Sequence, residues 1–212
     1  MKKNALMLSF LCLVICLNLF SCQSRPVKGE RIRVCYTLVF PTGQNVNNEQ
    51  LKLWQSQLLR RAEELGIKLS VKAEEGCMLV TLTEDCSDDI FRPGNFLVVT
   101  QDGEILLTGE DVEEVSPYQD ETEQDAVFFR LKKQAKEKFA AETLLRQGEV
   151  INIFLDDELV NTTVINKQIK SGEFLLVGER PVADARLFAA LIKHPLPLYA
   201  EVFSQEVISE PK

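Results

Sequence analysis

The sequence predicts an α+β fold in which the two ends of the chain close one β-α-β-β…α-β unit around an inserted α+β middle piece. Three observations carry this expectation. Residues 32–82 read by periodicity as a strand, a helix and a hairpin. A helix and strand able to complete such a unit appear only after Pro181. The long stretch between them alternates short strand patterns with one helix, without internal repeat or low-complexity tract.

The elements follow in order. Ile32, Val34, Tyr36, Leu38 and Phe40 alternate with more polar positions, as in a half-buried strand, and Pro41-Thr42-Gly43 ends it. Asn47 or Asn48 can cap a helix in which Leu51, Trp54, Leu58, Leu59, Ala62 and Leu65 recur at helical spacing, and Gly66 supplies the stop. Trp54 is in phase with that apolar face and belongs to the core. Leu69, Val71 and Ala73, then Met78, Val80 and Leu82, alternate on either side of Glu74-Glu75-Gly76, which predicts a hairpin. Strands are expected near Phe96–Thr100, Glu104–Thr108 and Ala126–Lys132, a helix over Gln134–Gln147, and strands near Val150–Leu155, Leu159–Ile165 and Glu173–Leu176. Behind Pro181, Val182, Ala185, Phe188, Ala189 and Ile192 have helical spacing, His194-Pro195-Leu196-Pro197 breaks the helix, and Leu198–Phe203 reads as the closing strand.

The 212 residues hold 24 basic and 32 acidic side chains and one histidine, a net charge of −8. That balance disfavours a nucleic-acid partner, whose phosphates need a basic surface. Lys2 and Lys3 precede an uncharged apolar run from Ala5 to Leu17, long enough for a signal-peptide core and short for a membrane span. Leu19-Phe20-Ser21-Cys22 then resembles the lipobox of bacterial lipoproteins, which implies that residues 1–21 are a leader and that Cys22 carries lipid. Acyl chains on Cys22 would anchor the protein to a membrane at about 0.8 kcal/mol per buried methylene. Loss of the leader removes two lysines and no acidic residue, leaving 22 basic and 32 acidic side chains and a net −10. Residues 22–30 are expected to form a tether and the chain to face the periplasm or exterior, and the resemblance to lipoproteins implies that Gln23, in place of the Asp that retains them at the inner membrane, favours the outer membrane in a diderm.

Cys35, Cys77 and Cys86 then remain in an oxidising compartment, so at most one intramolecular disulfide joins two of them. Their spacing fits no zinc ribbon or redox motif, and structural burial is expected. His194 falls at a helix C-terminus, where an imidazole complements the dipole, and is read as structural. The run Gly109–Asp125 carries eight acidic residues and no basic one, yet lacks the spacing of a calcium loop, and is read as a solvated acidic loop. Asn161-Thr162-Thr163 has sequon form and is read as strand sequence. Neither a phosphate loop nor a nucleophile elbow is present, and no cofactor, metal or catalytic residue is expected.

Read together, several stretches are similar to the first periplasmic domain of SecD, the accessory subunit of the bacterial Sec translocon. Leu59-Arg60-Arg61-Ala62-Glu63-Glu64-Leu65-Gly66-Ile67 resembles the end of that family's first helix, and Leu69–Leu82 its following hairpin. Leu106-Leu107-Thr108-Gly109-Glu110-Asp111-Val112 resembles the start of the family's head subdomain. Ile153–Val160 with Val164-Ile165-Asn166 resembles the family's Asp-Gly hairpin, here with Asp156-Asp157 at the turn. The ordered resemblance runs over about residues 48–205. It implies a ferredoxin-like split base at 31–83 and 181–208 carrying a head subdomain at 84–180. The family's flanking membrane helices and its opening Asp-Leu-x-Gly-Gly motif have no counterpart here. A passive module without the proton-driven motor is therefore expected.

On that frame the candidate protein-binding residues are Phe128 and Phe129, which cannot both face one side of a strand, and Asp156, Asp157 and Glu158 at the hairpin tip. The hairpin and its continuation to Ser171 offer backbone edges to an extended chain. The reading favoured is a non-catalytic, lipid-anchored envelope protein that binds exported polypeptides or Sec translocon components. The alternative is an assembly lipoprotein with one fixed envelope partner. A carboxylate-based enzyme acting on an envelope glycan has no support in the spacing.

Overall fold

The computed structural model describes residues 31–41, 46–74, 77–82, 88–119, 125–177 and 185–210, and Cys22, Cys86 and the expected leader and tether lie outside them. The first four-stranded sheet is built from both ends of the chain. Strands β1 (Arg31–Val39), β2 (Leu69–Glu74), β3 (Cys77–Leu82) and β11 (Glu201–Glu210) lie in the order β11-β1-β3-β2. The register Tyr36↔Val80↔Val71 sets apolar side chains on one face. Val34, Tyr36, Leu38, Met78, Val80 and Leu82 are buried there against Trp54 and Leu58 of helix α1 (Asn48–Leu65).

Helix α1 begins and ends where its sequence dictates. The Asn47 side chain accepts from Gln50 N at 2.9 Å and the Gln50 side chain accepts from Asn47 N at 3.2 Å, a reciprocal cap. Gly66 closes the helix at φ 74, a left-handed conformation that costs glycine little.

The middle piece forms two more sheets. Strands β4 (Phe96–Thr100), β5 (Ile105–Thr108), β8 (Val150–Leu155) and β9 (Glu158–Val164) run in the order β5-β4-β8-β9. Strands β6 (Val112–Gln119), β7 (Asp125–Leu131) and β10 (Glu173–Val177) run in the order β10-β7-β6. Their inner faces share one core with helices α2 (Lys133–Leu145) and α3 (Ala185–Lys193). Phe129 is its centre, stacked on Phe96 and on Phe174, each at a centroid distance of 4.9 Å.

Two expectations are corrected here. The acidic run is not simply a solvated loop. Gly109–Asp111 forms a short 3-10 turn, held by Thr108 N donating to Asp111 Oδ2 at 2.8 Å, and Val112–Gln119 is strand β6 with Val115 buried. Pro117 sits in β6 because β6 is the edge of its sheet, where a missing N–H removes no obligatory ladder bond. The closing strand starts at Glu201 rather than Leu198. Leu198 and Ala200 are instead buried in the smaller core ahead of the ladder.

Residues 185–208 divide between the two cores. Helix α3 buries Ala185, Phe188, Ala189, Leu191 and Ile192 in the larger core, whereas β11 joins the first sheet. A boundary at residue 180 therefore does not separate the cores. The helix lies against β6 and β7 as well as α1.

Candidate functional site

Strand alternation decides between the two phenylalanines. Phe129 points inward and is fully buried, so it is withdrawn as a contact residue. Phe128 points the other way, half-buried, on the outer face of the three-stranded sheet. The register places Leu175, Phe128 and Ser116 in one row across that face, and Val177, Ala126 and Tyr118 in the next. Leu175 and Val177 are each 47% exposed and Tyr118 45%. A third row is ionic: Arg130 bonds Glu173 Oε1 at 2.9 Å, pairs with Glu114 on its other side, and lies 5.4 Å over the Phe128 ring. An apolar strip with a polar border results.

The outer face of the four-stranded head sheet repeats the arrangement. Leu97, Phe154 and Leu159 form a row, Leu159 being 53% exposed, and Val99, paired with Ile105, lies beside it. Asn161 Nδ2 donates to Val177 O at 2.7 Å, tying the edge of this sheet to β10. Nothing at the residue level in the sequence separated Phe154 from Ile153; only the register does.

The hairpin tip differs from its expected role. Asp156 and Asp157 both take positive φ, 52 and 64, the geometry of a two-residue primed turn. Asp157 is exposed, but the Asp156 carboxylate is engaged. Its Oδ1 accepts from Gly94 N and Asn95 N, each at 2.7 Å, and its Oδ2 from Arg92 Nε at 3.3 Å. Arg92 also reaches Glu158 at 3.2 Å. Asp156 is thus a fastener between the hairpin and the 92–95 loop rather than an open contact. Only Asp157 and the outer part of Glu158 remain presented.

The same loop is held from beneath by Arg61, which is fully buried on α1. All five of its guanidinium N–H groups donate to main-chain oxygens. Nε bonds His194 O at 2.7 Å, Nη1 bonds Ile90 O at 2.8 Å and Arg92 O at 2.5 Å, and Nη2 bonds Pro93 O at 2.8 Å and Leu191 O at 3.3 Å. Burial pulls its pKa down to about 9, opposed by the charge of Asp156, so it stays charged at neutral pH. One loop therefore gives its carbonyls to Arg61 and its amides to Asp156. Arg61 escaped notice in the sequence, although it lies three residues after Leu58, in phase with the apolar face; that phase was the available signal.

Gly94 makes the approach possible. A Cβ there would stand 2.2 Å from Leu191 O, and its φ is 87. Around this fastening, a cleft of about 710 Å³ opens between the hairpin tip and the start of β11, lined by Asp88, Phe91, Arg92, Glu158 and Glu201 among others.

Of the remaining residues singled out by sequence, His194 and Cys35 have side-chain partners within the fold. His194 Nε2 lies 2.9 Å from Glu64 Oε2 at the end of α3, and burial lowers its pKa despite that carboxylate. Cys35 Sγ is 3.6 Å from Thr81 Oγ1. Cys77 stands opposite Val39, four ladder positions from Cys35, so these two thiols do not face one another. Among the described residues no cluster of His, Cys, Asp and Glu has metal-binding geometry, and no helix is long and apolar enough to cross a membrane.

Residues 78–197, more than half of the chain, match the family model of the SecDF P1 head subdomain. The chain belongs to that family. The matched stretch runs from β3 through α3 and includes the head sheets, the 92–95 loop and the hairpin tip. A curated relative, the protein-export membrane protein SecD of Methanothermobacter thermautotrophicus, is 29% identical over 107 residues. Those residues are 50% of this chain and 25% of the relative, so the chain spans about a quarter of the archaeal SecD. Two solved SecDF structures share the fold. One, a crystal structure in a super-membrane-facing form, superposes with TM-score 0.69 at 16% identity, covering 96% of this chain and 34% of that one. The other, of a membrane component SecDF that enhances protein export, gives TM-score 0.64 at 17% identity, with 80% of this chain and 98% of that one covered. The expected α+β SecD-like fold is therefore correct.

Proposed function

We propose that this SecDF P1 head relative is a lipid-anchored, non-catalytic envelope module that holds apolar segments of exported polypeptides on the open faces of its head. The observation that supports the reading is the Phe128 strip. A folded domain ordinarily covers side chains such as Leu175 and Val177, and an apolar face with a charged border is the pattern of an interaction surface. The side chains on it are apolar, which hold rather than react. Protein export enters through the relatives, a protein-export membrane protein and a membrane component that enhances protein export. Anchoring rests on the lipobox resemblance at Cys22, and placement in the envelope follows from it.

Photo-crosslinking in intact cells tests this, with the probe placed in turn at Phe128, Leu175 and Asp157. Capture of many exported chains, or of translocon subunits, at Phe128 and Leu175 is the expected result. A single recurrent envelope partner would instead support the fixed-assembly reading, and silence at both positions would overturn the proposal. The anchor is tested separately: Cys22→Ser should move the protein from the membrane to the soluble fraction.

A further inference from the structure

Strand β11 is the outer member of its sheet and runs for ten residues. Among the described residues no strand pairs with its far edge. A row of N–H and C=O groups without ladder partners is a template for an added strand. Its apolar side chains are uncovered on both faces, with Phe203 56% and Val207 63% exposed and Val202 and Ile208 also exposed. Gln205 Nε2 donates to Tyr36 Oη at 3.1 Å, which fixes the strand to its core from within. Proteins commonly blunt such an edge with Lys or Pro, and Glu201–Glu210 contains neither.

Charge indicates what belongs there. The ionisable residues of the stretch 201–208 of β11 are both acidic, Glu201 and Glu206. The strand starts at the cleft, where Asp88 and Glu158 lie near Glu201 and the cation among its described lining residues, Arg92, is already bound to Asp156 and Glu158. Like charges set opposite one another weaken a ladder, so a second copy laid on this edge is disfavoured. An extended chain alternating apolar with Lys or Arg residues is complementary.

We propose that β11 and its acidic mouth form a docking edge that takes an extended basic-apolar polypeptide segment as a fifth strand, with a basic side chain in the cleft. Main-chain hydrogen bonds would supply affinity and the acidic residues selectivity. This site lies on a different sheet from the Phe128 strip and reads the backbone rather than an apolar face, so it goes beyond the reading above.

The test uses the full chain in detergent and three fluorescent ten-residue probes. One alternates Val with Lys, the second Val with Glu, and the third is the Val-Lys peptide with N-methylated backbone, all read by fluorescence anisotropy at low salt. The Val-Lys peptide should bind about tenfold tighter than either of the others. The double substitution Glu201→Lys with Glu206→Lys, both exposed and unable to disturb a core, should reverse the preference toward the Val-Glu peptide. Equal binding of the methylated or acidic peptide, absence of binding, or a dimer in sedimentation that Phe203→Lys dissolves would overturn the proposal. Phe128→Ser with Leu175→Ser should leave Val-Lys binding unchanged. If that pair abolishes it, the peptide sits on the head, and the docking edge fails while the head reading stands.

Discussion

The smaller core lies between one four-stranded sheet and one helix, whereas the larger is enclosed by two sheets and two helices. Each is built from apolar and aromatic side chains, so each satisfies the hydrophobic effect on its own terms. What joins them is different. Ala62 on α1 and Ala190 on α3 are buried but belong to neither core, and beside them lies the polar fastening of Arg61, the 90–95 loop and Asp156. Apolar burial depends on area and tolerates repacking, whereas a hydrogen-bonded hub depends on one group reaching several acceptors. The cores should therefore be robust to conservative change and the junction fragile.

The largest effect is expected at the hub. Arg61→Leu removes every donor at once, and each orphaned buried acceptor costs about 1–3 kcal/mol, so denaturant unfolding should show a loss above about 4 kcal/mol or a second transition as the cores uncouple. Unchanged stability would mean the junction is held by the alanines instead. Within the larger core, Phe129→Ala should cost about 3–5 kcal/mol, while Phe128→Ser one residue away should cost less than about 1 kcal/mol. Equal losses would refute the division into inner and outer faces. Gly94→Ala, with a left-handed φ and a carbonyl in its way, should cost about 2 kcal/mol and leave both isolated cores intact by hydrogen exchange.

A pH dependence sharpens the comparison further. Burial lowers the His194 pKa in the folded chain from the ordinary 6.5. As pH falls through 6.5 toward that lower value, the unfolded chain takes up the proton first, so stability should decline in that window and be unaffected well above it. His194→Gln should flatten the decline in urea titrations at successive pH values. The smallest effect belongs to the hairpin: Asp157→Gly relieves a positive φ and should stabilise by up to about 1 kcal/mol without altering the Asp156 bonds.

Much of this architecture was legible in the sequence because local chemistry and tertiary position agree there. Asn47 and Gly66 delimit α1, alternation marks both hairpins, and the Phe128-Phe129 pair announces that one ring must face outward. Strand β6 was hidden because its acidic residues and Pro117 argue for a loop, and only pairing with β7 makes a strand of them. The allegiance of α3 was hidden for another reason. Its periodicity shows an apolar face but not which sheet that face meets. The hub of Arg61 and the fastening by Asp156 were hidden because most of their partners are main-chain groups, and main-chain groups leave no mark in a sequence pattern.

Arg61 touches oxygens that every residue type carries, and so does not recognise the side chains of Ile90, Arg92 or Pro93. The bonds from Arg61 therefore place no demand on which side chains the loop carries, and any such demand comes from the core and the hairpin tip instead. Two codons far apart in the message, those of Arg61 and Gly94, fix the path of this joint, while Ile90 and Phe91 answer to the core and Arg92 to the hairpin tip.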